Sequence, residues 1–201
     1  MNHFLKIAVL LYSSFFLFDA QAAEQILIFG DSLSAGYGIA RESSWANLLQ
    51  VELNHHHPYY TVVNASISGE TTSGGVRRIT KALNEHQPKI VIIELGANDG
   101  LRGSPLVDTE KNLREIIEQS HKIKAKVLLL GIQIPPNYGL AYAKQFRELY
   151  PALAKHYKVG LVPFMLAGIP ADEFQADNLH PNAKAQEQIL QNILSALNPM
   201  L

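Results

Sequence analysis

Continuously apolar runs are the feature that most restricts what this chain can fold into. They lack the polar alternation of a half-exposed strand, and helical patterns separate them along the chain. Strands have this composition when helices cover both faces of a parallel sheet. The predicted strands are residues 26–29, 60–65, 90–95, 126–132 and 159–164.

The segments between these strands carry apolar residues at helical spacing, and we expect all of these stripes to face the core. The stripes are Trp45, Leu48, Leu49 and Leu53; Val76, Ile79 and Leu83; Leu113, Ile116, Ile117 and Ile123; Phe146, Leu149, Tyr150, Leu153 and Tyr157; and Ala185, Ile189, Ile193 and Leu197. The repeated βα order predicts an α/β fold, a three-layer αβα sandwich around a five-stranded, doubly wound parallel sheet with right-handed crossovers.

Helix starts are indicated by residues that favour the first turn. Ser43 or Ser44 precedes the first stripe, Asp108 or Thr109 precedes the third, and Pro181 suits the first turn of the last helix.

Length and charge predict a single domain, residues 23–201, without nucleic acid as a partner. The 201 residues are 47% hydrophobic and carry a formal net charge of −1, which gives no electrostatic reason to bind a polyanion. The chain contains no cysteine, so disulfides are excluded. We expect a monomer with no cofactor.

The N-terminus has the pattern of a secretory signal peptide, residues 1–22. Lys6 precedes an apolar run of about a dozen residues and an Ala-x-Ala exit. Cleavage after Ala22 fits best, and cleavage after Ala23 is the alternative. A retained membrane anchor is the other interpretation, but the run is shorter than the roughly 20 residues that span a bilayer. The predicted location is the periplasm or the exterior, with no stable membrane insertion after cleavage.

Ser32 is the candidate nucleophile, in the stretch Gly30-Asp31-Ser32-Leu33-Ser34 directly after the first predicted strand. A strand that ends there places the hydroxyl at the carboxyl edge of the sheet, where open α/β sheets bind ligands. The same residues also form ordinary turns, because Asp and Ser side chains cap backbone amides. The other loops must therefore decide between the two interpretations.

Polar loops follow other predicted strands, and one of them supplies a candidate base. His180 can accept the Ser32 proton, and Asp177, three residues earlier, can orient its ring. We expect His180 to stand just before the last helix, whose positive end disfavours an imidazolium that Asp177 would then stabilise. A turn aspartate and a capping histidine are the structural alternative.

Donors for an oxyanion are available in the same loops. The backbone N–H groups of Ser32 and Gly69 and the side-chain amide of Asn98 are the candidates. No metal site is predicted, because the three histidines at residues 55–57 precede Pro58 in what we interpret as a solvated turn.

Together these motifs resemble the SGNH, or GDSL, hydrolase family. The nucleophile block is Gly30-Asp31-Ser32-Leu33, the glycine block is Gly69, the third block is Gly96-Ala97-Asn98-Asp99, and the last is Asp177-Asn178-Leu179-His180. The resemblance implies a flavodoxin-like fold, no metal, and an acyl-serine intermediate. It implies hydrolysis of carboxylic esters and thioesters of lipophilic acyl groups, such as aryl esters, acyl-CoA and lysophospholipids. The α/β-hydrolases differ, because their G-x-S-x-G elbow does not occur in this chain.

Substrate choice should come from the loops that flank this edge. Leu101, Arg102, Ile134 and Tyr138 are the candidate substrate-binding residues for a small acyl ester or thioester. Ordinary mobile surface loops are the alternative interpretation. Two rival functions remain at this point: an SGNH-type carbohydrate O-acetylesterase, and an exported binding module without enzymatic activity.

Overall fold

The computed structural model describes residues 23–201, in which a five-stranded parallel sheet separates two layers of helices. The strands are β1 (Glu24–Gly30), β2 (Tyr60–Asn64), β3 (Ile90–Glu94), β4 (Lys126–Leu130) and β5 (Gly160–Val162), in the order β2-β1-β3-β4-β5. This arrangement confirms the predicted α/β fold with a flavodoxin-like sheet. The predicted signal peptide, residues 1–22, lies outside the described residues.

The helices cover both faces of the sheet. They are α1 (Ser32–Ala35), α2 (Trp45–His56), α3 (Thr72–His86), α4 (Ala97–Leu101), α5 (Leu106–Lys122), α6 (Leu140–Tyr157) and α7 (Gln186–Leu197). Side chains alternate along β1, so that Leu27 and Phe29 pack with residues of α3, α5 and α6, while Ile26 and Ile28 pack with residues of α2 and α7. Within residues 23–201, no helix combines the length and apolarity needed to cross a membrane.

Several predicted boundaries were wrong by a few residues. The strands predicted to end at residues 65, 95, 132 and 164 end at Asn64, Glu94, Leu130 and Val162. Helix α2 begins directly after Ser44, which was one of the two predicted caps. Ser44 Oγ accepts the Asn47 N–H. Helix α5 begins at Leu106, directly after Pro105, rather than near Asp108 or Thr109.

The largest error concerns the last helix, which begins at Gln186 and not near Pro181. Pro181 instead forms an isolated antiparallel bridge with Phe174, and the Asn182 N–H donates to the Glu173 carbonyl at 2.7 Å. These contacts tie residues 181 and 182 back to the segment around Phe174, so the helix begins only after them.

The strand order brings the loops after β1 and β3 side by side. Gly30 and Glu94, the last residues of these strands, are paired in the register. A Cβ on Gly30 would lie 2.6 Å from Glu94 Oε2 and 2.9 Å from the Glu94 carbonyl oxygen. The contact therefore requires glycine at position 30, and it places a buried carboxyl directly below the Ser32 turn.

Candidate active site

Ser32 is the first residue of α1, immediately beyond the end of β1. The Asp31 carboxylate caps this short helix by accepting the Leu33 N–H at 3.1 Å. The Trp45 indole N–H donates to the Leu33 carbonyl at 3.2 Å, which ties the turn to α2. The nucleophile candidate is thus held on both sides by contacts that involve its neighbours.

His180 meets Ser32 across 148 positions of sequence. Its Nε2 lies 2.8 Å from Ser32 Oγ, and its Nδ1 lies 2.7 Å from Asp177 Oδ2. With Nδ1–H donating to the carboxylate, Nε2 is free to accept the hydroxyl proton. The three side chains therefore have the relative positions of a nucleophile, a base and the group that orients the base.

Asp177 both builds the turn and orients the ring. Its Oδ1 accepts the backbone N–H groups of Leu179 and His180 at 2.9 and 3.0 Å. These hydrogen bonds, together with that to the His180 ring, lower the pKa of Asp177 to about 2. The carboxylate is therefore ionised at every pH at which the histidine can act as a base.

The expected position of His180 at a helix N-terminus was wrong, because α7 begins only at Gln186. The loop is instead held by Gln175, whose N–H donates to the His180 carbonyl at 2.8 Å and whose Nε2 donates to the Tyr37 carbonyl at 2.8 Å. The Tyr37 ring lies against the imidazole, with 4.7 Å between ring centroids. A cation formed on His180 thus faces a carboxylate and an aromatic ring rather than a helix dipole.

Two backbone N–H groups beside Ser32 are candidate donors to an oxyanion. The N–H groups of Ser32 and Gly69 have no acceptor among residues 23–201. Gly69 has φ +81°, a left-handed conformation that favours glycine. Both residues line the cavity that contains Ser32 Oγ. Unpaired N–H groups beside a nucleophile are suited to stabilise developing negative charge.

The side-chain amide of Asn98 is already engaged. Its Nδ2 donates to Asp31 Oδ2 at 3.1 Å and to the Glu70 carbonyl at 2.9 Å. Both partners are acceptors, so only the NH₂ group can face them, and both of its hydrogens are used. Asn98 can serve an oxyanion only by sharing or releasing one of these hydrogen bonds.

The cavity beside Ser32 has a volume of about 270 Å³ and a largely apolar lining. Its apolar walls are formed by Leu33, Tyr37, Ala97, Leu101, Ile132, Ile134, Pro135, Leu166 and Leu179. These residues come from the loops after β1, β3, β4 and β5 and from the His180 loop. An acyl chain placed against Ser32 would therefore contact hydrocarbon on most sides.

Of the four predicted substrate-binding residues, Leu101 and Ile134 line this cavity, whereas Arg102 and Tyr138 do not. Arg102 is exposed and its Nη2 lies 3.4 Å from the Gly69 carbonyl, outside the cavity. Tyr138 is 42% exposed in the turn before α6. Their loops border the site, and Arg102 contacts Gly69 of the cavity wall, but neither side chain lines the cavity itself.

The three histidines at residues 55–57 were predicted to lie in a solvated turn. In the structure they form the last turn and the C-cap of α2 instead. His56 lies 3.5 Å from Glu52 on the same helix. Among the described residues, no group of three His, Cys, Asp or Glu side chains is arranged to hold a metal ion.

Known proteins resemble this chain in both sequence and structure. The profile of the GDSL-like Lipase/Acylhydrolase family matches residues 28–188. The chain belongs to this family. It is 44% identical to the protein named Esterase TesA of Pseudomonas aeruginosa over 182 residues, which covers 90% of each chain.

Two further proteins are similar to this chain over most of their length. The Escherichia coli K12 protein named Thioesterase 1/protease 1/lysophospholipase L1 is 41% identical over 186 residues, 92% of this chain and 88% of that one. The crystal structure of the psychrotrophic esterase EstA from Pseudoalteromonas, inhibited by monoethylphosphonate, superposes with a TM-score of 0.83 at 39% identity and covers 88% of this chain and 97% of that one. The predicted SGNH/GDSL family and the prediction of an ester hydrolase are confirmed.

Sequence reasoning missed several residues that support this GDSL-family site. Arg78 is one of them: it donates to Glu70 Oε2 and to the Ala65 carbonyl, each at 2.7 Å, and its guanidinium lies 3.8 Å from the Phe29 ring centroid. It thereby fixes the loop that carries Gly69. Only tertiary contacts reveal this role, because an arginine on an amphipathic helix ordinarily faces solvent.

Proposed function

We propose that this protein is a serine esterase and thioesterase that cleaves lipophilic acyl substrates through an acyl-Ser32 intermediate. The observation that carries the proposal is the 2.8 Å contact between Ser32 Oγ and His180 Nε2 at the wall of an apolar cavity. The names of the similar proteins, an esterase and a thioesterase/lysophospholipase, support the same bond types.

In the first half of the reaction, His180 Nε2 takes the Ser32 proton as Oγ attacks the carbonyl carbon. The carbonyl oxygen becomes an oxyanion and accepts the N–H groups of Ser32 and Gly69. Asn98 contributes by sharing the hydrogen now bonded to Asp31, the longer of its two contacts. Asp177 stabilises the imidazolium, and the proton then passes from His180 to the leaving alcohol or thiol as its bond to the acyl carbon breaks.

In the second half, water replaces the leaving group. His180 accepts a water proton as the oxygen attacks the acyl carbon, and the same donors hold the second oxyanion. The Ser32 ester bond breaks, Oγ recovers its proton from His180, and the carboxylic acid leaves. The original Ser32 proton leaves with the alcohol or thiol and a proton from water replaces it, so no co-reactant other than water is required.

The lining of the cavity predicts a preference for acyl chains longer than acetyl. We expect kcat/KM on p-nitrophenyl esters to rise from acetate towards octanoate, since each buried methylene contributes about 0.8 kcal/mol at most. Leu101→Ala should weaken this rise, because Leu101 forms one wall. Leu140→Ala is the matched control, since Leu140 is 77% exposed and outside the lining.

The same series tests the rival substrate class. A carbohydrate O-acetylesterase would show activity confined to acetyl groups, with no difference between the Leu101→Ala variant and the parent on longer esters. Either result would overturn the lipophilic assignment. Extending the series to acyl-CoA and to a lysophospholipid separates thioester from ester preference.

We also propose that residues 1–22 are an export signal and that the mature enzyme is a periplasmic or secreted monomer. The basic start, short apolar run and Ala-x-Ala exit support this proposal. When the full chain is expressed in a Gram-negative host, osmotic shock should release a protein whose intact mass corresponds to residues 23–201. An uncleaved, membrane-bound product would contradict it, and the elution volume in gel filtration tests the monomer.

A further inference from the structure

Two buried carboxyl groups lie beneath the proposed site, and the reaction does not use them directly. Asp31 and Glu94 are both 0% exposed. Burial and the proximity of Asp31 raise the pKa of Glu94 well above its ordinary value, and burial raises the pKa of Asp31 to about 6. Two adjacent carboxylates cannot both be ionised away from water at low cost. The pair therefore holds a proton at neutral pH.

The hydrogen bonds indicate which carboxyl carries that proton. Asp31 accepts on both oxygens, from the Leu33 N–H and from Asn98 Nδ2, as an ionised carboxylate does. Glu94 Oε2 accepts from the Asp31 N–H at 3.1 Å and from Ser34 Oγ at 2.7 Å. Glu94 Oε1 is buried and has no hydrogen-bond partner within residues 23–201, which disfavours the charged form of this carboxyl. The proton thus lies on Glu94.

This pair connects the two sides of the proposed site. The backbone N–H groups on either side of Ser32 both donate to this pair. The Asp31 N–H donates to the Glu94 carboxyl, and the Leu33 N–H donates to the Asp31 carboxylate. The Asp31 carboxylate also holds the Asn98 amide. We propose that Glu94, as a buried neutral carboxylic acid, is a positioning residue that fixes Asp31 and through it aligns the Ser32 turn with Asn98. This inference rests on the proposed function of the site and extends it to a residue that touches no substrate.

Other charged and titratable groups face the pair from the surrounding elements. His180 faces Asp31 from the loop before α7, and the Arg78 guanidinium reaches the Gly30 carbonyl at 3.3 Å from α3. Tyr150 of α6 donates to the Leu95 carbonyl, and Asp99 of α4 accepts from Thr72. A pH dependence assigned to Glu94 must therefore be separated from these groups by substitution at position 94 itself.

Two substitutions separate hydrogen bonding from size. Glu94→Gln is uncharged and keeps an acceptor for the Asp31 N–H and the Ser34 hydroxyl, so kcat should stay within about threefold of the parent. Glu94→Leu removes this acceptor, so kcat should fall roughly 10²-fold on a p-nitrophenyl ester while KM changes little. Equal losses in both variants, or no loss in a folded Glu94→Leu protein, would overturn the proposal.

A second measurement does not depend on activity. The raised pKa of Glu94 favours the protonated folded state, so the parent should lose stability as pH rises above the ordinary glutamate pKa of about 4.5 towards the raised pKa. Urea unfolding midpoints should show that loss in the parent and in the exposed control Glu85→Gln, and a smaller loss in Glu94→Gln. An identical pH slope in Glu94→Gln would overturn the neutral-acid assignment, even if Glu94→Leu failed to fold. A parent without esterase activity would instead contradict the proposed function and leave this slope to decide the inference.

Discussion

Replacing Ser32 with alanine should reduce kcat/KM on p-nitrophenyl esters by at least about 10⁴-fold. The variant loses the only atom that can attack the carbonyl in the geometry described, 2.8 Å from the imidazole. A small residual rate should remain, because the N–H groups of Ser32 and Gly69 are still present. The fold should be unaffected, since within residues 23–201 Ser32 Oγ makes no hydrogen bond besides that to His180.

The control for this variant is Ser195→Ala, which removes an exposed serine hydroxyl on α7 and should behave as the parent. The double variant Ser32→Ala/His180→Ala should be no slower than Ser32→Ala alone, since the two side chains act as a unit. An alkyl p-nitrophenyl phosphonate should transfer its phosphonyl group to Ser32 with release of p-nitrophenol, so the mass of that group should appear on the Ser32 peptide of the parent and of Ser195→Ala, and not in Ser32→Ala. Normal turnover in Ser32→Ala, or labelling at another residue, would eliminate the acyl-serine route.

Substituting Asp177 with asparagine should lower kcat by roughly 10⁴-fold while leaving the protein folded. The asparagine oxygen can still accept the N–H groups of Leu179 and His180, so the turn should persist. Its NH₂ group, however, would face His180 Nδ1 and favour the tautomer whose Nε2 already carries a proton. That imidazole cannot accept the Ser32 proton.

The measurement is the pH profile of kcat/KM for the parent, Asp177→Asn and the control Asp172→Asn, an exposed carboxylate in the same loop region. The pKa of Asp177 is about 2, below its ordinary value, so the stability it contributes is present above about pH 4 and is lost as pH falls towards 2. The fall of kcat/KM at acid pH in the parent should therefore not arise from protonation of Asp177. An Asp177→Asn rate within tenfold of the parent would contradict the role given to the carboxylate.

The parts of the site that sequence could predict are those with local signatures. Ser32 follows an apolar strand, and Asp177 stands one turn before His180, so their chemistry is visible in short windows of sequence. The βα alternation then places both at one edge of the sheet. Family-level motifs added Gly69 and Asn98.

The parts that sequence missed depend on contacts between distant segments. Pro181 looked like a helix start because its partner Phe174 cannot be known from a local pattern. No role was predicted for Glu94 within the predicted strand 90–95, whereas in the structure it pairs with Gly30 and is completely buried. Arg102 and Tyr138 lie outside the cavity lining, and their part in substrate binding stays a prediction, because the direction of a loop side chain is set by the packing around it. Ile132 and Leu166, which complete the cavity, lie in the loops after β4 and β5, and only the folded sheet brings these loops together.

The distance in sequence between Ser32 and His180 has a consequence for how folding can be followed. One group comes from the first strand and the other from the segment that precedes the last helix, so turnover begins only after both ends of the chain have docked on the sheet. Recovery of turnover during dilution from denaturant therefore reports the completed topology, whereas circular dichroism also responds to isolated helices. Enzymatic activity can therefore be used to follow the final step of folding.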